Sequence, residues 1–375
     1  MTDEHLPEAD RLGDAPHPRE TRVLYGHSAV EDAFLTSQAG GRKHHAIMLV
    51  GPKGIGKASF AWRLARHLLT AAPADAGLFG EPEAPTSLDI PGGHPIEARI
   101  AAMSEPRLFL LRREWDTDKK RFKAAIGIDD VRRMKGFFGL SAPDGGARVV
   151  IIDAADEMTV PAANALLKML EEPPANATLI LVVHQPARIL PTIRSRCQVL
   201  KMRPLSPGDL AAAIQGTGAT LPENPDALAA LAQGSAGRAL SLLESGGLDR
   251  YAEILALFSA LPRLDRPKAI AMAEAAGARG AEEKRAMMAD LFATLLARLA
   301  RFGAGMGHGP EAAAGEFDVF ARLAPDLYAA QQWAAFAETA GKDLERGFAV
   351  NLDAPALFLD MIFKAQKLAE DLSKR

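Results

Sequence analysis

Leu49-Val50-Gly51-Pro52-Lys53-Gly54-Ile55-Gly56-Lys57-Ala58 has the outline of a phosphate-binding P-loop, and what surrounds it decides the fold class. Gly51, Pro52, Gly54 and Gly56 form the candidate nucleotide cradle, because glycine lets a backbone turn its N–H groups inward onto a phosphate. Lys57 stands where its ammonium reaches the terminal phosphates, and a following helix adds its positive end. The apolar run Ala46-Ile47-Met48-Leu49-Val50 predicts the preceding strand, and Phe60 to Leu69 predicts the following helix. A glycine-rich turn with no ligand is the bland alternative. One position departs from the motif: Ser or Thr after the lysine normally gives Mg²⁺ a hydroxyl ligand, and here the residue is Ala58. Ser59 is one step further, a turn of roughly 100° around a helix, and is not expected to substitute.

The chain has 375 residues, 48% of them hydrophobic, enough for two or three domains. Net charge is −3, which opposes a stand-alone nucleic-acid binder driven by phosphate neutralisation. Cys197 is the one cysteine, so an intrachain disulfide framework and a cysteine-based zinc site are both excluded. No apolar run has the length of a membrane span, and the acidic start lacks a signal-peptide layout, so a cytoplasmic location is expected.

Residues 1–20 read as a disordered leader rich in Asp, Glu, Pro and His. From 21 to 203 strand and helix alternate: the P-loop unit, strand Arg107 to Leu111, helix Asp129 to Gly139, strand Arg148 to Asp153, helix Pro161 to Glu171 and strand Thr178 to His184. That alternation predicts an α/β fold with a parallel sheet and right-handed crossovers. Residues 71–106, rich in Ala, Pro and Gly, interrupt it and read as a surface insertion. After Pro204 the strand signals stop. Ser206-Pro207 and Asn224-Pro225 are helix starts, and residues 204–245 predict a small helical domain. Gly246-Gly247 is a plausible hinge. Residues 248–375 predict a helical bundle, with Met287, Leu291, Leu295 and Leu299 on one helical face and Leu357, Met361, Lys364 and Leu368 on another.

Val149-Val150-Ile151-Ile152-Asp153 is a buried strand ending in a carboxylate, the Walker B arrangement, in which Asp153 would orient Mg²⁺ through its waters. Alone, it is equally well the end of a core strand. The next residue in such ATPases is usually a water-activating Glu; here it is Ala154. Asp156 and Glu157 follow, on a new element that is expected to face elsewhere. General-base assistance is worth roughly 10²–10⁴ in rate, so two altered positions predict weak or static ATP or ADP binding at most and no turnover. No cofactor is required and no metal site is expected.

Ala163-Asn164-Ala165-Leu166-Leu167-Lys168-Met169-Leu170-Glu171-Glu172-Pro173-Pro174, followed by Leu190-Pro191-Thr192-Ile193-Arg194-Ser195-Arg196-Cys197, resembles the clamp-loader branch of the AAA+ ATPases. The resemblance extends to Tyr25-Gly26-His27 and Gly234-Ser235-Ala236-Gly237-Arg238, and fades over the C-terminal bundle, where Asn351-Leu352-Asp353 is similar. It implies a RecA-like AAA+ domain over 21–203, a helical lid over 204–245 and an all-α collar over 248–375. It further implies a subunit of the clamp loader of bacterial DNA polymerase III, working in DNA replication as part of a hetero-oligomer. Its partners would be the motor ATPase and delta subunits, the sliding clamp and, through the complex, primed-template DNA. The runner-up is the active motor subunit of the same complex, opposed by residues 58 and 154.

The resemblance also assigns residues. Arg196 occupies the place of an arginine finger, catalytic in trans on the nucleotide of a neighbouring subunit; a planar, permanently charged fork suits a γ-phosphate. Arg238 matches an arginine that contacts phosphates in the same chain. His184 falls where active relatives carry Thr or Asn. Some relatives hold a four-cysteine zinc module between P-loop and Walker B; this chain has His94 there and no cysteine. His44 and His45 read as solvent-facing or packed, and Cys197 as a small hydrophobe. Arg112-Arg113 and Lys119-Lys120-Arg121 are a candidate DNA contact, with a solvated loop as the favoured alternative.

Overall fold

The structure, a computed structural model, describes residues 6–40, 44–71, 85–139, 146–277 and 282–374. It divides into two compact units, one of Met1–Thr220 with Gly234–Arg238, the other of Leu221–Gln233 with Ala239–Arg375.

The first unit is built on five parallel strands: β1 (Ala46–Val50), β2 (Leu108–Arg112), β3 (Arg148–Asp153), β4 (Ala177–Val183) and β5 (Gln198–Lys201). Their order across the sheet is β2-β3-β4-β1-β5. The strands are near-continuous apolar runs because both faces are covered, as a parallel sheet with crossover helices requires. Side chains alternate between two cores. Ile47, Leu49, Val149, Ile151, Ile180 and Val182 pack with Phe60, Trp62 and Leu64 of helix α2, which follows the P-loop at Lys57–Thr70. Met48, Val150, Ile152, Leu179 and Leu181 pack on the other face with Val131 and Met134 of Ile128–Gly139 and Leu166 and Leu170 of Val160–Glu171. The α/β parallel-sheet expectation is therefore met. The predicted strand ends move by one residue at most, since chain direction is set by the apolar runs.

Two expectations are corrected here. The leader, expected to be disordered, is ordered over its described residues 6–20. Its few apolar groups cannot bury themselves, yet its charges find partners: His17 is fully buried, and Glu8 and Asp10 pair with Arg112. Of the insertion, residues 72–84 lie outside the described residues, and the described part is not wholly superficial either. Leu88, with Ile96 and Ile100 of the short helix Pro95–Ala101, enters the core beside α2, and His94 caps that helix by accepting the Ile96 amide at 3.2 Å.

The second unit is all helical over its described residues. Ser206 does cap Pro207–Gly216 at the end of the first unit, and Asn224 caps Pro225–Ala232 in the second, each accepting a backbone amide three residues on. The long helices Glu282–Gly303, Leu327–Ala349 and Ala354–Ser373 enclose Phe258, Phe292, Trp333 and Phe358. Leu291, Leu295 and Leu299 are buried as predicted. The last helix is rotated from its expected face. Phe358, Met361, Ile362, Ala365 and Ala369 are inside, while Lys364 is exposed and pairs with Asp343 and Asp360. The bulk of Phe358 fixes the buried side. Among the described residues no helix is long and apolar enough to cross a membrane.

Candidate functional site

The C-terminal ends of β1, β4 and β3 bring the P-loop, His184 and Asp153 together. Val50 is in register with Val183, and Val182 with Asp153. This crevice, at the point where β4 separates β1 from β3, is where open α/β sheets place ligands.

The loop itself has little freedom of sequence. Gly54 and Gly56 adopt φ of 78° and 102°, the left-handed region that glycine tolerates. A Cβ on Gly51 would lie 2.5 Å from the carbonyl oxygen of Met202. The loop is clamped from both sides. His27, buried beneath it, places Nε2 2.7 Å from the Ile55 carbonyl oxygen; from above, Ser235 Oγ donates to the Lys53 carbonyl at 2.9 Å and the Gly237 amide to Gly54 at 2.8 Å. In the sequence only the family resemblance singles these residues out. Nothing in their local pattern reports a partner so far along the chain.

Lys57 is buried and donates to the carbonyl oxygens of Gly51, at 2.7 Å, and Pro52. Burial brings its ammonium down to about 8, against the pull of Asp153 and Asp156. Asp153 is displaced the other way. Burial raises its carboxyl to about 7, the Asp10 and Glu157 carboxylates add to the rise, and Lys57 and Lys53 oppose it. His184 is held at about 4 by burial and by the nearby Lys57, and its Nδ1 has no hydrogen-bond partner among the described residues.

The carboxylates that follow Ala154 are engaged elsewhere. Asp156 accepts the amides of His184, at 2.9 Å, and Gln185, at 3.0 Å, tying it to the end of β4. Glu157 pairs with Arg113 at 2.6 Å. Ser59 turns its hydroxyl to Thr21 at 3.4 Å and so does not take the place left by Ala58. Arg238 has its amide on Ser235 Oγ at 3.1 Å, which sets its backbone beside the P-loop.

Arg196 lies apart from this crevice. It follows the helical turn Pro191–Arg194 and precedes β5, whose Gln198 is in register with Ile47 at the start of β1. Strands of four to five residues at about 3.3 Å each put it roughly 15 Å from the phosphate end of the sheet. It is partly exposed, held by Glu171 at 2.9 Å and the Thr192 carbonyl at 3.0 Å. Cys197, beside it, packs on the core, and burial pushes its thiol up to about 12, which suits a hydrophobe and not a nucleophile. His45 reaches the Leu170 carbonyl oxygen at 3.2 Å, and His44 is exposed. In the basic stretch Arg112 and Arg113 are committed to Glu8, Asp10 and Glu157, leaving the exposed Lys119-Lys120-Arg121 turn, where Lys119 pairs with Asp116 at 3.5 Å.

Residues 26–206 match the family described as DNA polymerase III, delta subunit. The DNA polymerase III subunit delta' of Pseudomonas aeruginosa is 40% identical over 227 residues, 59% of this chain and 63% of its own length. Over these spans the chain is similar to the delta' subunits of DNA polymerase III. The Escherichia coli (strain K12) delta' subunit is 32% identical over 57% of this chain and 58% of its own. A gamma/tau subunit from Mycobacterium bovis is 30% identical over 52% of this chain and 30% of its own. The chain thus spans about three-fifths of the delta' relatives it matches. A solved gamma-subunit-related protein of Thermotoga maritima aligns with 90% of this chain and 99% of its own at 16% identity and a TM-score of 0.42.

Proposed function

We propose that this chain is a clamp-loader subunit of a bacterial DNA polymerase III that does not itself hydrolyse ATP. It supplies Arg196 in trans to a neighbouring motor ATPase of the gamma/tau kind while the sliding clamp is loaded on primed DNA. In the same complex it works beside a delta subunit, in the cytoplasm. Its own P-loop, through Gly51, Pro52, Gly54, Gly56, Lys57, Asp153 and Arg238, holds ATP or ADP weakly or statically.

The observation that carries this reading is the separation of its two halves. Around the P-loop the Ser59 hydroxyl and the Asp156 and Glu157 carboxylates, the groups next along the chain from positions 58 and 154, are committed elsewhere, to Thr21, to the end of β4 and to Arg113. At the far end of the sheet an arginine stands partly exposed where its own nucleotide is out of reach, held by an ion pair that a stronger anion can displace. Arginine fingers in NTPases are worth about 10³–10⁵ in rate, a large effect to seek.

ATP hydrolysis by the isolated chain, then by the reconstituted complex with native chain or Arg196→Ala, tests both halves. The reading expects background turnover from the isolated chain and a loss of at least tenfold from the Arg196→Ala complex, with assembly verified by gel filtration. Brisk turnover by the isolated chain would favour an active motor subunit instead, and an unchanged rate in the variant complex would remove the finger.

A further inference from the structure

The leader is seated where it can act on the candidate nucleotide site. Arg112, the last residue of β2, is in register with Asp153, the last residue of β3, so the two side chains leave the sheet side by side. Arg112 nevertheless binds the leader: Nη2 donates to Glu8 at 2.8 Å and Nη1 to Asp10. Asp10 is buried, with one carboxylate oxygen unpartnered among the described residues, and it lies near enough to Asp153 to repel it. Behind it His17, fully buried, has Nε2 3.2 Å from Asp10 and packs edge-on against Trp62 of α2, the helix that begins with Lys57. Arg66 of the same helix donates to the carbonyl oxygens of Arg19 and Thr21 at 2.9 Å each.

This seating depends on charge more than on apolar packing. Leu6 and Leu12 of the leader are exposed, and between it and β2 remains a cavity of about 970 Å³ lined by Leu6, Glu8, Arg11, Phe109, Arg112 and Trp115. A strap held by ion pairs over an unfilled space is displaceable in a way that a packed core segment is not.

We propose that residues 6–20 are an autoinhibitory strap: when seated they set the Asp10 carboxylate beside Asp153 and draw Arg112 off it, which opposes binding of a nucleoside triphosphate at the P-loop. The inference rests on the nucleotide-binding reading above. By linkage, a nucleotide that is repelled by the seated strap must unseat it to the same extent.

The test uses the full-length chain, native and as Asp10→Asn and Asp10→Glu, with folding checked by circular dichroism. Binding of a fluorescent ATP analogue with Mg²⁺ is followed by anisotropy, and tryptic cleavage after Arg11 and Arg19 with and without ATP. Removing the carboxylate charge that Asp10 brings to Arg112, the strand neighbour of Asp153, should tighten binding roughly three- to tenfold in Asp10→Asn. Asp10→Glu, which keeps the charge, should bind as the native chain does, and ATP should speed native leader cleavage. Equal affinity in native and Asp10→Asn chains overturns the strap while leaving nucleotide binding intact. Tightening by Asp10→Glu equal to that by Asp10→Asn overturns the charge mechanism. No binding by any of the three overturns the nucleotide reading and the strap together.

Discussion

The Ser235 hydroxyl donates to the carbonyl oxygen of Lys53 at 2.9 Å across 182 positions of sequence, and accepts the Arg238 amide at 3.1 Å. One small side chain thereby caps a helix and pins the P-loop. Ser235→Ala removes both bonds, and a lost cap with a buried hydrogen bond costs about 1–2 kcal/mol. Urea denaturation should register that loss. Hydrogen exchange should quicken over residues 51–57 in particular; uniform exchange would mean the serine is a cap and nothing more.

The fold was readable where a local rule has no competitor. Val149 to Asp153 is an apolar run bounded by charge, and Ser206-Pro207 and Asn224-Pro225 are capping signals that act over three residues. The order of the leader is not legible in its composition because it comes from Arg112, about a hundred residues away, and composition cannot report a distant partner. Likewise the last helix offers apolar residues on more than one side, and the choice falls to Phe358 meeting Phe292 and Phe348. Of the candidate site, the glycines, Lys57 and Asp153 were legible as a motif. His27 beneath the loop and the commitments of Asp156 and Ser59 were not, because each is a tertiary contact.

Acid–base behaviour follows from Asp153. Its folded carboxyl, raised by burial to about 7, keeps a proton that the unfolded chain releases near pH 4. Its destabilising contribution therefore grows as pH rises from about 4 to about 7 and is constant above. Asp153→Asn should be more stable than native at pH 8 by about 1–3 kcal/mol, with the advantage shrinking towards pH 5. His184 has the opposite slope. Held by burial at about 4, it costs stability as pH falls from about 6.5, and His184→Gln should gain most at pH 5. Urea midpoints of both variants at pH 5 and 8 check the two signs; parallel curves would contradict them.

In the helical unit Glu316 is fully buried, and it accepts from Arg298 at 2.6 and 2.8 Å, from the Ala312 amide at 2.8 Å and from the Tyr251 hydroxyl. Burial first, then the Glu316 charge, raises the Tyr251 phenol, so it stays a neutral donor. Glu316→Ala strands a buried guanidinium, for which about 3–5 kcal/mol is expected. Adding Arg298→Met should recover part of the loss, because the uncompensated charge goes with it. Denaturant titration of the single and double variants measures this coupling. A double variant no more stable than the single one would show that geometry, not charge, is what Glu316 supplies.

If the P-loop has lost only the parts that spend the nucleotide, restoring them should restore turnover. Ala58→Thr returns a hydroxyl at the metal position, and Ala154→Glu returns a carboxylate next to Asp153. Each such group is worth on the order of a hundredfold where the rest of the site is competent. The double variant should therefore release phosphate from ATP at least tenfold faster than the native isolated chain, and either single variant much less. Ala154 is buried, so the added carboxylate has a desolvation cost of its own, and a thermal melt must accompany the assay. A folded double variant that binds ATP but stays at background would move the deficiency to His184, whose imidazole, buried and close to Lys57, stands in the same crevice; His184→Asn added to the pair is then the decisive variant.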